Sequence, residues 1–317
     1  MFRLGIIGAG IMGERLATAA LATPDVVELA GVWDPQPVAV ARIVAAVPAL
    51  HGCPTAVEVI EACNCVYVAS PPASHLAHGA AALAAGKSLF CEKPLSVDLA
   101  AARAFVAEHA QARAAVNFPF ASSLAVARLI EWLPELGALQ SLTIDVAFRV
   151  WPRPWQHDAA SWLDRREEGG FTREVVSHFL FLSRRLLGPL TLNEALVQFP
   201  EDNRSEFDIR AKLMAGAIPV NLTGNVGNTP KDDHNAWTLR GEHGSIRLRD
   251  WSIAERQSDT GVWVPDVDAM PNERARPAAL RRQLEGVARM TGGEAHHLAT
   301  LQEALEVQEM VEAILAS

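Results

Sequence analysis

Residues Phe2–Gly13 read FRLGIIGAGIMG. An apolar strand, Phe2–Ile7, runs straight into glycines, and Gly8, Gly10 and Gly13 spell G-x-G-x-x-G. The Ala-rich stretch Ile11–Leu21 reads as a helix that ends near Thr23-Pro24. In such a turn the first glycine permits the bend, the second admits a pyrophosphate to the backbone, and the third lets helix and strand pack closely. The helix start then offers unpaired N–H groups and a positive dipole end to phosphates. A second strand, Val27–Trp33, ends in Asp34, 21 residues after Gly13. A carboxylate there can accept hydrogen bonds from both hydroxyls of an adenosine ribose. Asp34 would repel a 2′-phosphate, no arginine follows it directly, and Arg42 lies a helical turn or two away. The expected cofactor is therefore NAD, with NADP the lesser candidate.

Outward from this turn the chain alternates strands and helices. Val38–Val47 and Ala56–Ala62 read as helices and Cys65–Ala69 as a buried strand closed by Ser70-Pro71-Pro72. Ser74 can cap a helix over His75–Ala85, and Gly86 closes it. Gly86–Ser96 then reads GKSLFCEKPLS. Glu92 and Lys93 leave this strand as adjacent opposite charges, and Pro94, with fixed φ and no N–H, stiffens the exit. Ser96 can cap a helix over Val97–Ala110, and Ala112–Asn117 is the next strand. Such alternation predicts a doubly wound parallel sheet. The strand-end residues Gly8–Gly13, Asp34, Ser70–Pro72, Glu92–Pro94 and Asn117 should line one crevice, into which Lys93 points.

The bulk properties narrow the partners. The chain has 317 residues, enough for one large or two ordinary domains. Net charge is −9 and no Lys/Arg-rich run occurs, which argues against a nucleic acid or an anionic membrane. The four cysteines (Cys53, Cys63, Cys65, Cys91) have no zinc spacing and read as core thiols of a cytoplasmic protein; no metal is expected. No secretory signal and no membrane-spanning run is read.

Past Asn117 the pattern changes. Ala121–Leu133 reads as a helix and Ala138–Val150 as an alternating strand, followed by a polar loop, Trp151–Trp162, with three tryptophans. Gly169–Gly188 reads GGFTREVVSHFLFLSRRLLG, a glycine pair followed by a very apolar helix in which Glu174 and His178 are four apart and share a face. Strands follow at Leu190–Phe199, Glu206–Ala215, Ile218–Gly224, Ala236–Arg240 and Gly244–Arg249. Their alternation predicts one face on helices and one open face, a candidate subunit interface. The polar loop Gly227–Asn235 either reaches the site with Lys231, Asp232 or His234 or is simply solvated. Arg274–Met290 and Leu298–Leu315 read as amphipathic helices.

GIIGAGIMG, VASPPASH and GKSLFCEKPLS together resemble the Gfo/Idh/MocA family of NAD(P)-dependent oxidoreductases, which includes glucose–fructose oxidoreductase and inositol 2-dehydrogenase. The resemblance implies an α/β protein: a Rossmann domain over residues 1–118, then an α+β domain over 119–317. The second domain would carry a large, mostly antiparallel, open-faced sheet for substrate and for homo-oligomer contacts. It implies that Gly8, Gly10, Ile11, Met12, Gly13, Asp34, Ser70, Pro71, Pro72, His75, Glu92, Lys93 and Asn117 bind the cofactor; His75 is equally read as a helix-start residue without contact. Lys93 would polarise the reacting C–O group. The Gly-Gly…Asp…His pattern of the family is matched by His178, the expected proton donor or acceptor. Glu174 stands where the family has aspartate and would orient the histidine.

The function so implied is transfer of a hydride between nicotinamide and a carbinol or carbonyl carbon of a small molecule, a sugar, cyclitol or relative. Arg149, Arg153, Arg173 and the tryptophans hint at an acidic or ring-bearing one. Phe179–Leu182 is wholly apolar, which argues against a plain polyol. A non-redox dinucleotide-sensing regulator and an NAD-using glycoside hydrolase or epimerase remain the alternatives on the same scaffold.

Overall fold

A computed structural model describes residues 1–317, apart from the side chain of Asp158. The chain forms two compact units. One comprises Met1–Ser122 and Pro277–Leu305, the other Ser123–Arg276 and Glu306–Ser317. The sequence suggests a single boundary after residue 118; the chain instead crosses three times. The cause is visible in the first unit's core, where Leu284, Val287, Met290 and Leu298 are buried with Phe2, Leu4, Ile6 and Leu16. Amphipathic periodicity reveals that a helix buries one face, not which core receives it.

The first unit carries strands β1 (Phe2–Ile7), β2 (Val27–Trp33), β3 (Cys65–Val68), β4 (Ser88–Cys91) and β5 (Ala114–Val116) in the order β2-β1-β3-β4-β5, all parallel. Helices α1 (Ile11–Leu21), α2 (Pro37–Ala46), α3 (Ala56–Ala62), α4 (His75–Ala84) and α5 (Leu99–Glu108) make the crossovers. Every residue of β3, β4 and β5 is buried, as expected of parallel strands covered on both faces. Ile7 lies beside Trp33 and Val68, Val68 beside Cys91, and Cys91 beside Val116. The five carboxyl ends are therefore level, and their loops share one edge of the sheet.

Two helix caps differ from expectation. Asp98, not Ser96, caps α5, accepting from the N–H groups of Ala100 and Ala101, while Ser96 Oγ accepts from Asp98 N. Ser74 caps nothing; its hydroxyl bonds Pro71 O and Ser70 Oγ within a 3₁₀ turn, Pro72–Ser74, that leads into α4.

The second unit is built on eight strands: β6 (Leu139–Phe148), β7 (Leu190–Gln198), β8 (Asp208–Ala215), β9 (Ile218–Val226), β10 (His234–Gly241), β11 (Gly244–Arg249), β12 (Ile253–Gln257) and β13 (Trp263–Pro265). Their order is β13-β12-β11-β10-β6-β9-β8-β7, antiparallel except where β6 meets β9. In β8 and β9, buried Ile209, Ala211, Leu213, Val220 and Leu222 alternate with exposed Arg210, Lys212, Asn221 and Thr223, so one face is apolar and the other polar. Helices α6 (Leu124–Trp132), α7 (Ala160–Leu163) and α8 (Ser177–Leu187) belong to this unit. Helices α9 (Asn272–Gly292) and α10 (Leu301–Leu315) are divided between the units. The strands β12 and β13 have no counterpart in the sequence reading, because IAERQ and WVP are too short and too polar to show alternation. Among the described residues no helix is long and apolar enough to cross a membrane.

Trp237 on β10 is fully buried, and its indole N–H donates to Ser183 Oγ on α8 at 2.9 Å. Trp237→Ala should lower unfolding stability by about 3–5 kcal/mol, read as a fall in the urea midpoint of the second unit. Trp237→Phe, which keeps most of the volume, should lower it by less; equal losses would show that the hydrogen bond, not packing, dominates there.

Candidate active site

The glycine turn is legible atom by atom. Gly8 sits at φ +107, and a Cβ there would lie 2.5 Å from the Ala69 and Ser70 backbone. A Cβ on Gly13 would lie 2.1 Å from Gly8 O. Both glycines are thus required by the protein itself. Gly10 is different: it has an ordinary φ of −79, and a Cβ there would meet nothing within 4 Å. Next to that space the first-turn N–H groups of α1, those of Ile11, Met12 and Gly13, begin a helix that no side chain caps. Three uncapped amides beside an open approach fit the phosphates of a dinucleotide. Asp34, at the end of β2, accepts from Ala9 N and from Gln36 N, both at 2.9 Å, which fixes its carboxylate against the turn. Arg42 donates to Ala9 O at 3.0 Å and pairs with Glu14 at 3.7 Å.

Glu92 and Lys93 part company. Glu92 is buried and accepts from Tyr67 Oη and from Asn117 Nδ2, the latter at 2.6 Å. Asn117 Oδ1 accepts in turn from Gln283 Nε2 at 2.6 Å. This corrects the reading of Glu92 as a charge leaving the strand beside Lys93, and it commits the Asn117 amide to the interior as well. Burial, and then the Glu92 charge, push the Tyr67 phenol well above its ordinary pKa, so Tyr67 remains a donor. Lys93 itself is half-buried, as are Ser70 and Asp34; Pro71 is exposed and Pro72 buried.

His75 is the first residue of α4, as one of its two readings expects. It is buried, with Nδ1 2.7 Å from Pro94 O and Nε2 2.7 Å from Ser70 O. It ties the loop after β3 to the loop after β4. Burial holds its pKa below the usual histidine range. A neutral imidazole has one N–H, so it donates to one of the two carbonyls at a time.

In the second unit the glycine pair is equally determined. A Cβ on Gly169 would lie 2.0 Å from Leu163 O, and one on Gly170, at φ +100, would lie 2.2 Å from Glu206 Oε2. The turn delivers the chain into a π-helical segment, Thr172–Val176, before α8 begins at Ser177. The simple α-helical spacing read from the sequence is therefore replaced by a π turn, a feature found disproportionately at functional sites. Glu206, buried beneath the turn, accepts from Thr172 N at 2.7 Å, and its burial raises its pKa.

Glu174 lies on the π turn and accepts from Gln156 Nε2 at 3.2 Å; Arg153 Nη2 is 3.8 Å from the same oxygen. His178, 8% exposed, stands edge-on to the Trp251 indole, with ring centroids 5.6 Å apart at 75°. Arg153 is buried, donates to Asp233 Oδ2 at 2.6 Å and lies over the Trp155 ring at 4.8 Å. The residue of the polar loop that joins this cluster is thus Asp233. Lys231 pairs with Asp250, Asp232 pairs with Arg149, and His234 has entered β10 opposite Ala147. Arg173 is structural: it grips Glu312 through two nitrogens and donates to the carbonyls of Arg166 and Gly169. Arg149, Arg153 and Arg173, which hinted at an acidic substrate, all have acidic partners within the protein. Gln156, Asp233 and Trp251 were not singled out from the sequence. The turn sequence Asp250-Trp251-Ser252 after a strand was the available signal for the last. Among the described residues no cluster of three or more His, Cys, Asp or Glu could hold a metal ion.

With this geometry in view, residues 2–118 match the oxidoreductase family with NAD-binding Rossmann fold, GFO_IDH_MocA. The match is confined to the N-terminal segment, the part that carries the glycine turn. An inositol 2-dehydrogenase of Cereibacter sphaeroides is 38% identical over 120 residues, 37% of this chain and 36% of its own length. The rhizopine catabolism protein MocA of Rhizobium meliloti is 34% identical over 141 residues, 44% of this chain and 41% of its own length. The matched stretch thus spans less than half of each of these relatives. Beyond the first domain the fold carries the likeness. A levoglucosan dehydrogenase solved with NADH and levoglucosan superposes with a TM-score of 0.83 at 16% identity, covering 99% of this chain and 96% of that one. The myo-inositol dehydrogenase fold of a Sinorhizobium meliloti protein gives 0.79 at 18% identity, covering 100% and 97%.

The glycines separate experimentally. Gly13→Ala should destabilise the first unit, whereas Gly10→Ala should leave thermal unfolding unchanged and weaken NADH binding, measured by fluorescence. Equal effects of both on stability would contradict the geometry. For Glu206, whose folded pKa is raised, the stabilising contribution is full below its unfolded pKa near 4.5 and is lost as pH rises through the folded value. Glu206→Gln should therefore gain stability relative to the wild type as pH climbs from about 4 to 7, followed by urea unfolding at each pH.

Proposed function

We propose that the protein is an NAD-dependent oxidoreductase that interconverts a carbinol and a carbonyl carbon on a sugar, a cyclitol or a related small molecule. The observation that carries this reading is the open approach at Gly10, bordered by the uncapped amides of Ile11, Met12 and Gly13. Those amides, with Gly8 and Asp34, would hold the dinucleotide, and Ser70, Pro71, Pro72 and Lys93 would border it from the neighbouring strand ends. When bound, the nicotinamide accepts or returns the hydride. Asp34 favours NAD, because its carboxylate suits ribose hydroxyls and repels a 2′-phosphate. His75, Glu92 and Asn117 support these loops from beneath through backbone and buried contacts.

Lys93 polarises the substrate oxygen. Its ammonium stabilises the negative charge that develops there as the C–H bond breaks or forms. His178 takes the hydroxyl proton in oxidation and gives it back in reduction, a task suited to an imidazole. Glu174, longer by one methylene than the aspartate usual at its position, orients the imidazole. The names of the inositol and levoglucosan dehydrogenases support a ring-bearing substrate class. The polar face of the eight-stranded sheet is the proposed surface for a second copy of the chain.

A panel of sugars, cyclitols and amino sugars, read at the NADH absorbance, tests the reading. Net NADH release on at least one is expected, and its absence across the panel with NADH still binding would favour a sensor or a transiently oxidising hydrolase. Lys93→Ala and His178→Ala should each lower turnover on the order of 100-fold with NADH affinity retained. Tighter binding of NADPH than of NADH would overturn the cofactor assignment.

A further inference from the structure

Trp251 is held in a backbone conformation that bulky side chains rarely adopt. Its φ is +71, and that of Asp250 before it is +49. Two successive left-handed residues suit the turn between β11 and β12, but glycine or asparagine normally fills such positions. A tryptophan there indicates that the surroundings over-determine it, a pattern associated with functional sites. Its indole N–H donates to Asp233 Oδ2 at 3.0 Å, and its backbone N–H donates to Asn235 Oδ1 at 2.9 Å. Its ring meets His178 edge-on and lies tilted on Phe179 at 5.4 Å.

Asp233 is the junction. The oxygen that accepts from Trp251 also accepts from Arg153 Nη1, and its other oxygen accepts from Asn235 Nδ2 at 3.0 Å. Arg153 donates through Nε to Gln156 Oε1 at 2.8 Å, and both Arg153 and Gln156 face Glu174 Oε1. The side chains therefore form a circuit. It runs from Glu174 through Arg153 and Gln156 to Asp233, then through Trp251 to His178, and closes along one turn of the helix. Four separate segments of the second unit contribute to it: the loop after β6, the π turn with α8, the segment before β10, and the β11–β12 turn.

We propose that Asp233 is a positioning residue for the Glu174–His178 pair, holding the carboxylate through Arg153 and the imidazole through Trp251. The inference rests on the dehydrogenase reading given above. By dividing the guanidinium between two acids, Asp233 keeps Arg153 from collapsing onto Glu174 as a full ion pair. By fixing the indole, it walls one side of the imidazole and limits rotation of the ring. Of the charged groups on these elements, Glu174, Arg153 and Asp233 belong to the circuit; Asp250 pairs with Lys231 and Arg249, Asp232 with Arg149, Arg173 with Glu312 and Arg184 with Glu306, and Arg185 lies over Phe181.

The test needs no substrate. The full chain, labelled at histidine, is titrated by NMR, with the His178 signal assigned by its loss in His178→Gln. Asp233→Asn keeps the shape and removes the charge that balances Arg153, which disfavours the imidazolium. The His178 midpoint should fall by about half a pH unit or more. Trp251→Phe keeps an aromatic wall without the N–H donor, and Trp251→Gly relieves the backbone and removes the wall; both should move the midpoint. In a double-mutant cycle the Asp233→Asn and Trp251→Phe effects should fail to add. An unmoved midpoint in Asp233→Asn, or strictly additive shifts, overturns the proposal. NADH affinity should be unchanged in all three variants. NADH release from the substrate panel is scored separately: its absence with the midpoint shifts intact removes the dehydrogenase reading and leaves the circuit standing.

Discussion

The first unit depends on a steric constraint: the ends of β1 and β3 approach so closely that no side chain fits between them. Gly8 lies where a Cβ would press on the Ala69–Ser70 peptide, and Gly13 lies where one would press on Gly8 O. That approach brings α1 against the sheet and levels the strand ends, since Ile7 is in register with both Trp33 and Val68. Asp34 then locks the turn from the other side by accepting from Ala9 N. The same crowding makes the openness at Gly10 informative. Gly8 and Gly13 are close-packed, whereas Gly10 has an ordinary φ and open space where a Cβ would lie, so nothing within the protein requires a glycine there. In the proposed reading a phosphate of the dinucleotide takes that space.

Beneath the level strand ends lies a polar layer. A buried carboxylate costs several kcal/mol unless donors surround it, and Glu92 has a phenol and an amide bonded to it. Gln283 completes the chain of donors from the returning segment of α9. The consequence is mechanical. Glu92 precedes Lys93, so anchoring one carboxylate to β3, to the residue after β5 and through Asn117 to α9 restricts the backbone from which the lysine projects. His75 does the same for the other side of that loop by spanning Ser70 O and Pro94 O. Glu92, Asn117 and His75, which their motifs place among the ligand-binding residues, also brace the loops from within.

That difference marks where sequence reasoning stops. The G-x-G-x-x-G turn, the alternation of strands and helices and the apolar runs of β3 to β5 are local patterns, and each element appears within a few residues of its expected bounds. The direction of a side chain at a strand end is not local. Whether Glu92 turns outward or inward depends on a tyrosine 25 residues earlier and an asparagine 25 residues later. The polar loop before β10 poses the same problem: three of its charged residues were candidates, and Asp233, between them, joins the cluster because Arg153 and Trp251 arrive from elsewhere in the chain. Likewise the periodicity of α9 announces a buried face without saying that its later turns pack under β1. The π turn at Thr172–Val176 has no composition of its own; it follows from a glycine pair wedged against Leu163 and Glu206.

The two halves of the candidate chemistry are thus supported in different ways. Lys93 rides on a loop whose neighbours are fixed by backbone contacts and a buried carboxylate, so the backbone that carries the proposed point charge is held in place. His178 sits on a helix with seven consecutive buried residues, Ser177–Ser183, and its ring meets Trp251 edge-on, with Trp251 in turn on Phe179. An imidazole so enclosed has little freedom to reorient, so in the proposed reaction the proton would reach it in a set direction. Proton transfer is steeply sensitive to distance and angle, whereas polarisation by a charge falls off gradually. In the proposed reaction the task that is sensitive to geometry would thus fall to the residue held most tightly, and the task that tolerates distance to the lysine.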